Sequence, residues 1–334
     1  MAKGDSDTHS SIPWTVFDLA EGLFLAHSLS VLERLGILES LQEPLTVGEL
    51  AAKHHADVGV LDAALQMLAV RTRLIVQRSG KYSVTSKYGE VERFQLLQYV
   101  GAYSNNAVAL DQILRDPSVA GGLVDREQHA RAFELERTWG RDTLADVMLR
   151  RGLNHALDLG CGTASMLLYL ASQRPEFRGW GIDSNPWACA VAQRRVTAAG
   201  QGKRIKLFEG DCRDVKDILP SKVVRVVGTL TATGVANEFF ANGNTNAVAW
   251  LARLKSLFPG RIMLIADYYG QLGKAKKISS REVALHDFVQ VISGQGVPPA
   301  NLEEWQMIYR TAQCDLIQVI QSRNSPSFIH VLKF

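Results

Sequence analysis

The apolar residues of this chain change their spacing twice, and the changes divide it. From Leu19 to Leu38 they recur at helical intervals, at Leu19, Leu23, Ala26, Leu29, Leu32 and Leu35. That spacing predicts an amphipathic helix. A second helix opens at Thr46, with Glu49 three residues on in the capping-box pattern. A third is predicted over Val60–Ala69, with Leu61, Ala64, Leu65 and Leu68 on one face. The run 74–85 then alternates, and Ser79-Gly80 interrupts it, as in two short strands around a turn. Three helices and a hairpin is the order of a winged helix.

Residues 90–150 return to helical spacing, with long amphipathic stretches over Arg93–Ile113 and Gln128–Leu149. Asp116-Pro117 and Gly121-Gly122 break the run between them. From His155 strands and helices alternate. Strands are predicted at Ala156–Leu159, Gly179–Asp183, Ile205–Phe208, Val223–Gly228 and Arg261–Asp267. Helices are predicted at Ala164–Gln173, Pro186–Ala199 and Ala247–Phe258. Such alternation builds a parallel sheet covered by helices on both faces, an α/β fold. The expected organisation is a winged-helix-like domain over 1–90, a helical linker and site cover over 91–150, and a Rossmann-like domain over 151–334. Two domains also suit a chain of 334 residues.

Composition narrows the partners. The formal net charge is +3, and short basic spots such as Lys274, Lys276 and Lys277 read as solvated loop. Nucleic acid is not an expected partner. In a DNA-binding winged helix the third helix carries basic side chains, whereas Val60–Ala69 offers Asp62 and Gln66 and no Arg or Lys before Arg71. The module is expected instead to pack against a second subunit, forming a homodimer, or to cover a site. Residues 1–12 are polar and read as a loose tail, with no apolar signal region. No stretch reaches the ~18 apolar residues that span a bilayer. Cys161, Cys189, Cys212 and Cys314 form no CxxC pair, which argues against structural zinc and a disulfide framework. A cytoplasmic protein is expected.

The informative motif is Asp158-Leu-Gly160-Cys-Gly162-Thr-Ala-Ser165, between a strand and a helix. Glycines there let the backbone turn tightly and approach a ligand. Ser165 stands where a third glycine would complete a dinucleotide fingerprint, which disfavours NAD. Asp158 would repel a pyrophosphate but suits a cationic amino acid moiety. Asp183, 25 residues later at the end of the next strand, suits ribose hydroxyls. Glu209-Gly-Asp211-Cys212 closes the third strand.

On these residues the sequence resembles the class I S-adenosylmethionine-dependent methyltransferases, and with its N-terminal module those that act on small molecules and dimerise through that module. The resemblance covers roughly residues 150–334. It implies S-adenosylmethionine as cofactor, with Asp158, Gly160 and Gly162 near its methionine part, Asp183 at the ribose, Asp211 and Cys212 beside the adenine, and Ser184 among the cofactor-binding residues. Asn237-Glu238 and the later His286 look like the C-methyltransferases of α-keto acids, in which a His-Glu pair and a later His hold iron. Asn237 replaces the first of those histidines, and an amide oxygen is a far poorer iron ligand. The function this resemblance implies is C-methylation of an α-keto acid in secondary metabolism, with His286 and Glu238 assisting enolisation as bases where no metal is held. The alternatives for them are a structural helix histidine and a helix-capping carboxylate.

The lost histidine opens a second activity, intramolecular cyclisation of S-adenosylmethionine to a small cyclic amino acid and methylthioadenosine. That reaction needs a dry pocket and aromatic faces to hold the cation. Tyr99, Tyr103, Trp139 and Tyr169 are the candidates, with Tyr103 in the small, polar run Tyr99-Val-Gly-Ala-Tyr103-Ser-Asn-Asn the foremost; each is otherwise an ordinary core aromatic. A non-catalytic methyltransferase-like subunit is the third alternative.

Overall fold

The computed structural model describes residues 14–135, 139–274, 280–323 and 325–334. The expected tail over 1–12, Lys276, Lys277 and the side chain of Trp139 lie outside the described residues. Two compact units divide between Leu96 and Leu97.

The first unit contains α1 (Val16–Arg34), α2 (Ile37–Ser40), β1 (Leu45–Thr46), α3 (Val47–His54), α4 (Val58–Arg71), β2 (Ile75–Arg78), β3 (Lys81–Val84) and α5 (Glu90–Gln95). Three of the helix starts have a local cause in a side-chain cap. Thr15 and Asp18 form a capping box for α1, Thr46 and Glu49 one for α3, and the Asp57 carboxylate caps α4. Ser79 and Gly80, both left-handed at φ 50° and 75°, make the two-residue turn that joins β2 to β3. β1 adds a third strand, in the order β1-β3-β2. The helix predicted over Leu19–Leu38 breaks at Gly36, whose φ of 73° no continuing helix can use. Its apolar stripe is only half buried. Leu29 and Leu32 enter the unit's core, whereas Phe17, Leu23 and Phe24 are 73%, 55% and 71% exposed.

The second stretch predicted as one helix, Arg93–Ile113, is also segmented. A π-helical turn over Leu96–Ala102 leads to α6 (Ser104–Val108), α7 (Leu110–Arg115), a 3-10 helix over Pro117–Leu123, α8 (Arg126–Leu135) and α9 (Trp139–Arg151). A Cβ at Gly101 would stand 3.3 Å from the Gln128 Cβ, so the turn lies close against α8 there. Asn106 is fully buried and donates to the carbonyls of Ala120 (2.7 Å) and Ile292 (2.9 Å), which ties the 3-10 helix into the second unit.

The sheet follows as β4 (His155–Leu159), α10 (Ser165–Gln173), β5 (Arg178–Asp183), α11 (Pro186–Ala198), β6 (Ile205–Glu209), α12 (Val215–Ile218), α13 (Ser221–Val226), β7 (Thr229–Thr233), a 3-10 turn over Ala236–Phe239, α14 (Thr245–Leu257), β8 (Ile262–Tyr268), α15 (Arg281–Ile292), α16 (Leu302–Thr311), β9 (Asp315–Gln321) and β10 (Ser327–Lys333). The seven strands run in the order β6-β5-β4-β7-β8-β10-β9. The first five are parallel, and β10 and β9 close one edge antiparallel. The chain reverses its direction of travel across the sheet between β4 and β7. In open α/β sheets the crevice beyond the strand C-termini at such a point receives ligands.

One strand is displaced from its predicted place. Val223–Gly228 is not the fourth strand; Ser221–Val226 is α13, and the strand is Thr229–Thr233. The valines fit a helix because Val223 faces inward while Val226 is half exposed. Of its threonines, Thr231 fits a central strand because the interior satisfies it: its hydroxyl donates to Asp158 Oδ1 at 2.8 Å, whereas the buried hydroxyls of Thr229 and Thr233 have no partner among the described residues.

Beside the antiparallel edge lies a buried histidine. His330 on β10 is fully buried, hydrogen-bonded through Nδ1 to the Tyr309 hydroxyl (2.8 Å) and through Nε2 to that of Tyr269 (3.3 Å), and stacked on Phe328. Burial pushes it down to about 3. The unfolded chain protonates this imidazole near its ordinary 6.5 and the native chain does not, so its contribution is whole above 6.5 and declines as pH falls towards 3. His330→Leu is therefore expected to destabilise the protein at pH 7.5 by roughly 2–3 kcal/mol, since two tyrosine hydroxyls lose partners. The deficit should shrink by about 2 kcal/mol at pH 5. Urea denaturation of both proteins at the two pH values checks this, because other titrating groups cancel in the difference. A deficit independent of pH would contradict a neutral buried imidazole.

Candidate active site

The C-terminal ends of β4, β5, β6 and β7 meet a cavity of about 520 Å³, within the range typical of small-molecule sites. Its floor is the loop after β4. Gly160 and Gly162 hold left-handed φ of 68° and 52°, and Ala164 joins them at 60° as the residue before α10. A Cβ on Gly160 would lie 2.3 Å from Val235 Cγ2, so only glycine lets the loop close on the segment after β7. At Gly162 nothing stands within 4 Å of the same position, and the backbone is open to a ligand. From behind, Arg195 of α11 clamps the loop, with Nη1 donating to the Thr163 hydroxyl (2.7 Å) and the Ser165 hydroxyl (2.9 Å).

Asp183 ends β5 and organises the neighbouring backbone. Oδ2 accepts from the Gly162 amide (2.7 Å) and Oδ1 from the Asn185 amide (2.8 Å). Each oxygen keeps a lone pair for the cavity. Burial raises its pKa, against those two amides and the Arg126 charge. Asp158, at 4% exposure, sits deeper, where burial lifts it to about 7 despite the Thr231 hydrogen bond, with the Asp183 charge adding to the rise. At the end of β6, Asp211 pairs with Arg213 (3.3 Å), and the Cys212 carbonyl accepts from Trp250 Nε1 (3.1 Å). Burial holds the Cys212 thiol up at about 12, and that of Cys161 well above its ordinary value, so neither offers a thiolate.

Asp158, Gly160, Gly162, Asp183, Ser184, Asp211 and Cys212, all singled out in the sequence, line this one cavity, and Glu238 faces it from the turn after β7. Burial lifts Glu238 to about 7, opposed by Arg126 and Arg213 and assisted by Asp183 and Asp211. Three other candidates are placed differently. Asn237 is 3% exposed and absent from the lining; its backbone amide donates to Asp267 (3.0 Å), and its side-chain oxygen is buried without a partner among the described residues. Successive residues of so tight a turn point in different directions, and Glu238 takes the cavity side. His286 on α15 is likewise absent from the lining. Its ring packs edge-on against Tyr268 (5.2 Å) and Tyr99 (6.3 Å), its Nε2 meets the Gln290 amide nitrogen at 3.1 Å, and burial takes it down to about 4. Tyr103 is buried one layer back, edge-on to His129 at 5.9 Å. Tyr99 is not in the lining, and Tyr169 is 45% exposed outside it.

An iron site of the kind the resemblance implied needs donors at 237, 238 and 286 together. Of these only Glu238 reaches the cavity, and no group of three His, Cys, Asp or Glu side chains among the described residues is placed to hold a metal. The donor set does not fit iron.

The sequence places a helix and a site cover here but singles out no residue of α8 as a site candidate. Arg126, His129, Ala130 and Phe133 all line the cavity, at helical spacings of three, four and seven. Their stripe mixes charge and aromatic rings, so it does not stand out as an apolar face. Asn185 joins α8 to the cavity floor: it caps α11 and donates to the Arg126 carbonyl at 2.9 Å.

Residues 156–241 match a family described as a methyltransferase domain. Among proteins of known activity, the chain is 26% identical over 232 residues to 3-hydroxy-5-methyl-1-naphthoate 3-O-methyltransferase of Streptomyces sahachiroi, covering 63% of this chain and 65% of that protein. The chain spans less than two thirds of the length of the curated relatives it matches. Among solved structures it is similar to the mitomycin 7-O-methyltransferase, with a TM-score of 0.73 at 17% identity over 95% of this chain and 96% of that one. It is similar too to human N-acetylserotonin methyltransferase solved with S-adenosylmethionine, with a TM-score of 0.70 at 16% identity over 95% and 96%.

Proposed function

We propose that this chain, which has the class I methyltransferase fold, binds S-adenosylmethionine and transfers its methyl group to a hydroxyl of a small organic acceptor in secondary metabolism. The observation that carries the reading is the convergence of Asp158, the open Gly162 backbone, Asp183, Asp211 and Glu238 on one cavity at the sheet's reversal point. Asp158 faces the cationic amino acid end, Asp183 the ribose and Asp211 the adenine. The bound cofactor supplies a methyl group on a sulfonium, whose C–S bond breaks as the acceptor oxygen bonds to carbon. Glu238, poised near neutrality, accepts the hydroxyl proton. The walls orient the acceptor and exclude water. The hydroxyl acceptor follows the O-methyltransferase relatives. C-methylation of an α-keto acid is not carried forward, because the metal donors it relies on do not assemble.

One observation favours the cyclisation reading as a second. No imidazole occupies position 237, while His129 in the cavity wall is held uncharged by burial and Tyr103 packs edge-on behind it, two aromatic faces for a cation. There the cofactor's own amine would attack its γ-carbon, methylthioadenosine would leave, and Asp158 would take the amine proton.

Incubation of the purified protein with S-adenosylmethionine, alone and with a panel of hydroxyarenes, separates the two by mass spectrometry. S-adenosylhomocysteine and a methylated arene are expected. Methylthioadenosine and a cyclic amino acid formed without acceptor would replace the first reading with the second, and an untouched cofactor would remove both. We also propose a cytoplasmic homodimer. The exposed Phe17, Leu23 and Phe24 of α1 support the dimer, since a monomer gains nothing by hydrating them. Sedimentation of the full chain as a monomer would refute it.

A further inference from the structure

Three arginines line the cavity, and they are not equivalent. Arg141 pairs with Asp142 at 3.0 Å and Arg213 with Asp211 at 3.3 Å. Arg126 pairs with no carboxylate within 4.0 Å among the described residues, and the hydrogen bond its guanidinium makes is a long one, 3.5 Å to the Gly121 carbonyl. Yet its charge acts on Asp183, Glu238, His129 and Tyr103. The charge felt by Asp158 is that of Asp183. The guanidinium therefore shares the cavity with Asp183 and Glu238.

A cation there is unfavourable beside a sulfonium unless an anion joins them. A guanidinium fork matches a carboxylate, with two parallel charge-assisted hydrogen bonds. Along the same face of α8 follow His129 and Phe133, with ring centroids 4.8 Å apart and Tyr103 edge-on behind His129. Burial takes His129 down to about 4, so the imidazole is neutral at working pH and presents an aromatic surface. From Arg126 to Phe133 the helix rises about 10 Å, the length of a small aromatic acid.

We infer that the face of α8 carrying Arg126, His129 and Phe133 is the acceptor-binding surface, and that it selects an aromatic carboxylic acid whose carboxylate pairs with Arg126. The inference rests on the methyltransferase reading of the cavity. Glu238 then meets a ring hydroxyl while Arg126 holds the acid.

Calorimetric titration of the S-adenosylhomocysteine-loaded full chain with 3-hydroxybenzoate and with 3-hydroxybenzamide tests it. The acid is expected to bind at least about tenfold more tightly than the amide. In Arg126→Gln that preference should vanish with S-adenosylhomocysteine affinity unchanged, and in Phe133→Ala both ligands should weaken together. Equal affinities for acid and amide in the native protein, or no binding of either, would overturn the proposal. So would an Arg126→Gln protein whose S-adenosylhomocysteine affinity falls tenfold, since Arg126 would then hold the cofactor's own carboxylate. Failure of the native protein to bind S-adenosylhomocysteine would instead strike the underlying methyltransferase reading, and is read first.

Discussion

Asp183→Ala is expected to lower S-adenosylhomocysteine affinity by about a hundredfold or more. Two losses combine. The carboxylate holds the Gly162 and Asn185 amides at 2.7 and 2.8 Å, so its removal frees both the glycine loop and the entry to α11. It also takes away the acceptors proposed for the ribose hydroxyls, and hydrogen bonds to a charged group contribute roughly 1.5–3 kcal/mol each. Asp183→Asn separates the two effects. Its amide keeps one oxygen for one backbone N–H but presents an NH2 to the other, so an intermediate affinity is expected. Calorimetry at constant pH, with circular dichroism to confirm folding, is the measurement. An Asp183→Ala protein that binds as tightly as the native one would remove the ribose assignment.

The legibility of this site in the sequence follows the range of the interactions that build it. The floor could be read because its signal is short. Asp158, Gly160, Gly162 and Asp183 sit at the ends of two consecutive buried strands, and the glycine φ values that make the loop are a property of the residue type. The helix start at Thr46 and the hairpin turn at Ser79-Gly80 were readable for the same reason. Long-range features were not. Thr229–Thr233 looks too polar for a central strand until Asp158 is seen accepting from Thr231, an interaction across 73 residues. The neighbouring valines, β-branched and apolar, drew the strand prediction to Val223–Gly228.

The candidates Asn237 and His286 show the same limit from the other side. Their residue types suggested a ligand position and a base, but which side of a turn or helix faces the cavity is fixed by packing partners, and burial takes His286 down to about 4. Asn237 is turned by its backbone bond to Asp267, and His286 is enclosed by Tyr99, Tyr268 and Gln290. Asp267, which burial lifts to about 7, has no sequence signature at all beyond ending a strand. Arg126, His129 and Phe133 lay inside a stretch read as linker and site cover but were not singled out, because a helix face that serves a ligand need not be apolar.

Glu238→Gln is expected to reduce methyl transfer to the hydroxyarene found in the acceptor panel by roughly 10²- to 10³-fold, the usual contribution of a positioned base. S-adenosylhomocysteine affinity should stay within twofold, because Glu238 is not placed against the cofactor. The native protein's kcat/KM should fall below pH 7 as Glu238 takes up a proton, since burial sets it at about 7 and only the carboxylate accepts the hydroxyl proton. The variant should lose that limb and leave a flat, low profile. Stability moves the opposite way. A carboxylate whose native pKa is raised favours the folded state when protonated, and this advantage is lost as pH rises through 7. The neutral amide avoids that loss, so Glu238→Gln should melt at or above the native temperature at pH 8 and lose any margin at pH 5. Slow turnover in a protein at least as stable as the native one separates a chemical role from a structural one. Unchanged turnover with the pH limb intact would transfer the proton-accepting role to another group and leave Glu238 as a buried neighbour of the acceptor.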